Sequence, residues 1–412
     1  MPGCKLILLL LVGTTGLRAY CCGPETPTAD GTIAFDPSEP IRPIRVVLGG
    51  MQRLRTIRVD GPYKILSGDD PGSILAEGER LDATEVAATQ RKWLVAAPLP
   101  RPVERFLLKA QQDGSIWVGK RCYRGHVRFE FAGGDYLRVI NEVDLEDYLA
   151  SVVSCEMPGD FPPAAQQAQV IAARTYALFH MLTRNDSQPF DVYDSSRSQN
   201  YRGLQYIDAK GRRLAAETEA SRKIVAATQR AVLVYQNRLF CSYYSATCGG
   251  RTADGRSVFG NAPPPLYGHE SDCCVGAPNY RWTRRISIQQ ALQAINAGEL
   301  QTQMLESLRE LHINDPGEGR LAQLSFSDGQ RKRTLSAAAI RGRLPLVSPA
   351  ADLPSPFYNA QIDGDEIIFT GRGWGHGVGL CQWGSRSLAL RGMTSAEILD
   401  YYFPGSTLVH LK

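Results

Sequence analysis

The chain is predicted to be an α+β protein: a β-rich N-terminal platform, a helical-hairpin catalytic core, and mixed strands and short helices behind it. Three observations carry this. Residues 41–143 hold short runs of alternating or β-branched residues separated by Gly and Asp-Gly turns. Residues 144–182 hold two helical patterns broken by prolines. Beyond them, short strand and helix signals alternate up to a glycine-dense stretch near the C-terminus. At 412 residues, 43% of them hydrophobic, the chain can bury a sizeable core and form two or three domains. The net charge of +4 is spread without long runs, and no basic stripe with interleaved aromatics argues for nucleic acid.

Residues 1–19 read as an export signal. Lys5 precedes the apolar run Leu6 to Val12, and Ala19 offers a small residue at a cleavage point. That run is too short to span a bilayer, and no other stretch approaches about 20 apolar residues. An exported chain of the periplasm or cell envelope is expected, with no transmembrane span beyond the signal segment. Cys21 and Cys22 leave lipid anchorage open, although the bulky Tyr20 before them argues against it. Residues 20–40, rich in Pro, Thr, Gly and Asp, form a linker.

The platform, 41–143, has strand candidates at Ile44 to Leu48, Thr56 to Val59, Ser115 to Val118, His126 to Phe131 and Tyr136 to Ile140. The core, 144–284, begins with a helix whose Leu145, Leu149, Val152 and Val153 share one face. Asp144 caps its start, and Pro158 stops it near Cys155 or Glu156. Pro162 and Pro163 fit the first turn of a second helix, running from Ala164 to Leu182. Glu156 is therefore held at the corner of an αα-hairpin between Cys155 and Met157. A carboxyl with apolar neighbours has a raised pKa, which suits it to donate a proton.

The polar, aromatic loop that follows, 190–203, could hold a polar ligand with Gln199, Tyr201 and Arg202. Ala215 to Thr228 reads as a helix, and Ala231 to Tyr235 and Leu239 to Ser245 as strands. In Tyr244 to Thr252 the pair Gly249-Gly250 lets backbone approach a ligand closely. Cys248 with Cys273 or Cys274 could close a disulfide loop of about 25 residues, worth a few kcal/mol. Cys241, Cys248, Cys273 and Cys274, with His269, offer enough soft ligands for zinc, but no tight Cys-x-x-Cys spacing occurs and export favours the disulfide.

Residues 285–350 form an insertion or accessory region with a helical pattern over Ile288 to Leu308 and a strand over Leu321 to Ser327. Residues 351–412 complete the core. Five of the nine positions 371–379 are glycine, which excludes a helix or central strand and leaves a tight loop. His376, Gln382 and Arg372 are its polar side chains. It is not a phosphate loop, because no Gly-Lys-Ser/Thr ends it. A short helix from Ser385 stops at Gly392, and a last one starts with a capping box of Thr394 and Glu397.

Three motifs, in this order, resemble the stage II sporulation protein D / amidase-enhancer family of bacterial cell-wall proteins. They are Leu145 to Tyr176 with Cys155-Glu156-Met157-Pro158 and Ala172-Ala173-Arg174-Thr175-Tyr176; Tyr244 to Thr252; and Gly371 to Gly384 with Tyr401-Tyr402-Phe403-Pro404-Gly405. The loop Gln199-Tyr201-Arg202-Gly203 is also similar, and the likeness covers roughly residues 40–410. Cys155 and Cys381 depart from the small or hydroxyl residues usual at those places, and 285–350 carries no motif of the family.

The resemblance implies a lytic transglycosylase acting on peptidoglycan glycan strands stripped of stem peptides, with Glu156 as the one acid and base and no cofactor. Asp191 or Asp194 as a second carboxylate would instead signal hydrolysis. Arg174, Gln199, Tyr201, Arg202, His376 and Gln382 are expected to bind saccharide. Arg174, inside a helix, could equally brace the hairpin through an ion pair. The amidase-enhancer branch implies a second reading: a non-catalytic wall-binding protein that recruits or stimulates an amidase.

Overall fold

The computed structural model describes residues 31–412 except 71, 90, 91, 113, 185–187 and 318–320. The expected export signal, the first part of the linker, Cys21 and Cys22 lie outside the described residues. The fold is α+β and rich in strand. Two seven-stranded sheets form the platform. One runs in the order Val192–Tyr193, Ile44–Val47, Tyr136–Val143, His126–Gly133, Arg105–Ala110, Tyr63–Ser67 and Ile74–Gly78. The other centres on Leu54–Asp60 between Leu81–Ala88 and Ser115–Val118. Alternation decides which residues face inward: Val127 and Phe129 are fully buried while His126, Arg128 and Glu130 retain exposure. Both sheets also recruit strands from beyond residue 143, namely Val192–Tyr193, Gln205–Ile207 and Arg213–Ala215. Those segments lie far along the chain and give no alternating run long enough to read.

Strand Tyr136–Val143 hands the chain directly to helix α1, Leu145–Glu156, which Asp144 caps by accepting from the amides of Glu146 and Asp147. Helix α2, Pro163–Thr183, starts on two prolines and is buried almost continuously from Ala165 to Met181. A helix apolar all round belongs in the middle of a molecule, and its alanines let neighbours approach closely. Strand Ala231–Tyr235 docks on it: the Leu233 amide donates to Thr175 Oγ1 at 2.9 Å. Helices Gln382–Leu390 and Ser395–Tyr402 pack on it from another side. No helix among the described residues is long and apolar enough to cross a membrane.

A second hydrophobic core runs from Trp282 to Phe369. This is wider than the expected accessory region of 285–350. Strand Arg281–Ser287 pairs along its whole length with Glu366–Arg372, which in turn pairs with Tyr358–Asp363. The expected helix over Ile288 to Leu308 ends at Asn296, because Gly298 at φ 81° provides a left-handed stop.

Arg174, in the middle of α2, has no solvent exposure. It makes a two-pronged pair with Glu146 of α1, at 2.8 and 2.7 Å, and donates to the Ala231 carbonyl at 3.0 Å. Glu146→Gln leaves that guanidinium buried without its counter-charge. It is expected to destabilise the fold by about 3 kcal/mol, the low end for a buried pair because Glu146 is partly exposed. Urea unfolding, with an unchanged m-value, measures this.

Candidate functional site

Glu156 is the last residue of α1, and Met157 leaves the helix in extended geometry at φ −129°. The carboxyl is half-buried and accepts the Asn200 backbone amide. Burial pushes its pKa up, and hydrogen bonds from the Asn200 amide and side chain oppose this only in part. The C-terminal end of α1 carries negative partial charge and acts in the same direction as burial.

The elbow opens into a cleft of about 800 Å³. Its walls include Ser154 to Pro158 from the hairpin, Ser196, Ser198 and Asn200 from the polar loop, and Tyr244 to Ala246 from the second motif. Trp374 to His376, Gln382 and Trp383 close it from the glycine-dense stretch, and Arg341 and Asp352 reach it from the side of the second core. Backbone pairing joins two of these walls. Tyr244-Ser245 runs parallel to Leu380-Cys381, and Thr247 and Trp374 exchange two amide–carbonyl bonds. Gly373, at φ 81°, stands where a Cβ would fall 2.6 Å from the Thr247 carbonyl oxygen, so the approach requires glycine.

The expected site residues divide into two groups. Glu156, His376 and Gln382 meet in the cleft. Arg174, Gln199, Tyr201 and Arg202 do not line it. Arg174 is the buried brace described above. Gln199 is fully buried; it accepts from Tyr148 Oη and donates to Tyr244 Oη, both at 3.0 Å. That strut fixes the loop and so presents the next amide, that of Asn200, to Glu156. Tyr201 is also buried, stacked near Tyr148 with its hydroxyl donating to Asn141 Oδ1 at 2.7 Å. Arg202 is exposed and lies over the Tyr206 ring. Gln199 and Tyr201 face inward because these hydrogen bonds tie the loop down.

His376 is neutral at physiological pH: burial, aided by the nearby Arg341 charge, pushes its pKa down to about 4. Its Nδ1 accepts the Val378 amide at 3.1 Å, which leaves Nε2 as the donor. Neither Asp191 nor Asp194 is a second cleft carboxylate. Asp191 is buried between Arg42 and Arg45, and Asp194 pairs with Arg121 at 2.7 Å. The other acid on the wall is Asp352. Asn200, Trp374, Trp383, Tyr244 and Ser245 were not among the expected site residues, yet each lies inside or beside a quoted motif. Trp374 is 46% exposed, unusual for a tryptophan, and Ser245 Oγ is buried with no protein partner.

Of the cysteines expected to pair or to hold zinc, Cys248 and Cys274 come together while Cys241 and Cys273 lie elsewhere. Cys248 and Cys274 lie with their sulfurs 3.4 Å apart, as free thiols. Cys241 instead faces His180 Nε2 at 3.7 Å, and Cys273 contacts the Tyr401 hydroxyl. Cys381, remote in sequence, joins Cys248 and Cys274.

The family profile described as Stage II sporulation protein matches residues 134–235, from the strand entering α1 to the strand docked on α2. A second profile, described only as a domain of unknown function, matches residues 271–379 and so takes in the second core. An uncharacterized protein of Brachyspira hyodysenteriae is 29% identical over 371 residues, 89% of this chain and 92% of that protein. Stage II sporulation protein D of Bacillus subtilis is 28% identical over 280 residues, 65% of this chain and 75% of its own length. The amidase enhancer of Bacillus subtilis is 26% identical over 302 residues, 63% of this chain and 40% of its own length.

A carboxyl whose folded pKa lies above its unfolded value binds its proton more tightly in the native state. Its contribution to stability is complete below the unfolded pKa and is lost as pH rises through the folded one. Glu156→Gln removes that loss. The variant is expected to match the wild type in acid and to exceed it at neutral pH, read from urea unfolding across a pH series.

Proposed function

We propose that this chain, which belongs to the stage II sporulation protein D / amidase-enhancer family, cleaves peptidoglycan glycan strands as a lytic transglycosylase with Glu156 as its one acid and base. The observation that carries the reading is the placement of Glu156: a half-buried carboxyl of raised pKa, held by Asn200, in the wall of a polar and aromatic cleft. In the first half of the reaction the protonated carboxyl gives its proton to the glycosidic oxygen as the bond from C1 breaks. In the second half the carboxylate takes the proton of the C6 hydroxyl, whose oxygen bonds C1 and closes a 1,6-anhydro ring. The proton returns to Glu156 and no water is consumed, so a second carboxylate is not needed. The Asn200 amide steadies the carboxylate between the two halves. Trp374 and Trp383 offer flat faces to sugar rings, and Ser196, Ser198 and Gln382 offer hydrogen bonds to hydroxyls. The site of action is the cell envelope.

The match to the amidase enhancer of Bacillus subtilis favours one other reading, a wall-binding protein that recruits or stimulates an amidase. Products distinguish the two. Purified, peptide-free glycan incubated with the protein alone yields 1,6-anhydro ends under the enzyme reading and stays intact under the other. Reducing ends with added water would point to hydrolysis with Asp352 as the partner.

Glu156→Gln is expected to lower kcat by about 10²- to 10⁴-fold, the scale of general acid–base catalysis, with glycan binding kept. The kcat/KM of the wild type falls as pH rises through the raised Glu156 pKa, because only the protonated form donates. Trp374→Ala is expected to raise KM about fivefold through loss of one stacking face, roughly 1 kcal/mol, with a smaller change in kcat. Mass spectrometry of the released fragments checks all three.

A further inference from the structure

Three thiols from distant parts of the chain meet behind the cleft wall. Cys248 follows the strand Tyr244–Ser245, Cys274 precedes the second core, and Cys381 opens the helix Gln382–Leu390. All three are buried, and their sulfur atoms lie within 4.8 Å of one another. None of the three lines the cleft.

A disulfide would use two of these sulfurs and strand the third. Backbone groups surround them: Cys248 Sγ lies 3.6 Å from the Ser271 carbonyl and Cys381 Sγ 3.7 Å from that of Ala246, while several amides point at the cluster. Cys381 Sγ accepts the amides of Cys248 and Gly384, each at 3.3 Å, and through the second it caps its helix. The amides of Gly249 and Gly250 face Cys274. Such N–H contacts stabilise a sulfur that carries negative charge, as does the N-terminus of a helix, whereas a disulfide sulfur is neutral. Three thiolates gathered in a buried place would require a cation among them. The mutual spacing suits bonds of about 2.3 Å to one central ion, with sulfurs then near 3.8 Å apart. No His, Asp or Glu joins the group among the described residues, and an all-sulfur set selects a thiophilic ion over magnesium or calcium.

We propose that Cys248, Cys274 and Cys381 bind one zinc-class ion as three thiolates, with the fourth position left to water or a small ligand. The ion fastens together the Tyr244–Thr252 segment, the approach to the second core and the start of the helix that carries Gln382 and Trp383. Its role is to hold the cleft wall, and it takes no part in the proton transfers at Glu156.

The test uses the full chain purified with a thiol reductant and without chelator, loaded with zinc and dialysed. Elemental analysis is expected to find one zinc per chain. Serine at Cys248, Cys274 or Cys381 should lower zinc content at least about tenfold, by the scale of lost metal-site contacts, while Cys241→Ser and Cys273→Ser retain it. Loading the wild type with cobalt(II) should give a thiolate-to-cobalt charge-transfer band of three-sulfur intensity, a readout that does not depend on how the serine variants fold. A zinc-free wild type after loading, with the three thiols open to alkylation, would overturn the proposal. So would a zinc-free protein lighter by two hydrogens with Cys248 joined to Cys274, or full zinc retention in Cys381→Ser.

Discussion

A guanidinium with no access to water sets the geometry of this molecule. Burial of α2 between α1, the strand Ala231–Tyr235 and the C-terminal helices is non-directional, and apolar contact alone would tolerate some sliding of one helix past another. Arg174 removes that freedom. Its planar fork meets both oxygens of Glu146 and its remaining donors reach the Ala231 carbonyl. Glu146 lies in the first turn of α1 and Glu156 at its last residue, so fixing one end of the helix fixes where the other points. The elbow and everything lining it inherit their position from this contact.

The cleft is assembled in layers from that elbow outward. Gln199, locked between Tyr148 and Tyr244, sets the Asn200 amide against Glu156. Tyr244 begins the segment that pairs with Leu380-Cys381, and that pairing brings Trp374, His376 and Gln382 to face the hairpin. The environment then determines the charge states. His376 is held neutral and Glu156 is biased toward its protonated form, each mainly by burial. Asp191 and Asp194 are kept out of the cleft by their own arginines.

The hairpin and the glycine-dense loop were legible in the sequence because their signals are local. Asp144, Pro158, Pro162 and Pro163 act on the backbone within a few residues, and five glycines in nine positions leave few conformations. Arg174 as a brace was also within reach, since a charge on an otherwise apolar helix needs a partner. Gln199 and Tyr201 were expected to face saccharide but lie buried, because a polar or aromatic residue in a loop looks the same whether it faces inward or outward. Only the tertiary packing buries them. Asp352, Arg341 and the wider second core depend on the pairing of residue 281 with residue 372, a separation no short-range pattern reports. Cys381 departs from the family pattern, but its meeting with Cys248 and Cys274 is likewise non-local.

The second core enters and leaves through neighbouring positions: Arg281 and Arg372 sit opposite each other in one antiparallel ladder. Cutting the chain at both would leave ends about 5 Å apart, the spacing of adjacent strands, which a two-residue turn could rejoin. The unit is therefore attached through a single pair of adjoining strands, removable in principle without rethreading anything else. Lineages could lengthen, shorten or exchange it, and each exchange would reshape the rim that Arg341 and Asp352 contribute while the elbow beneath stayed as it was.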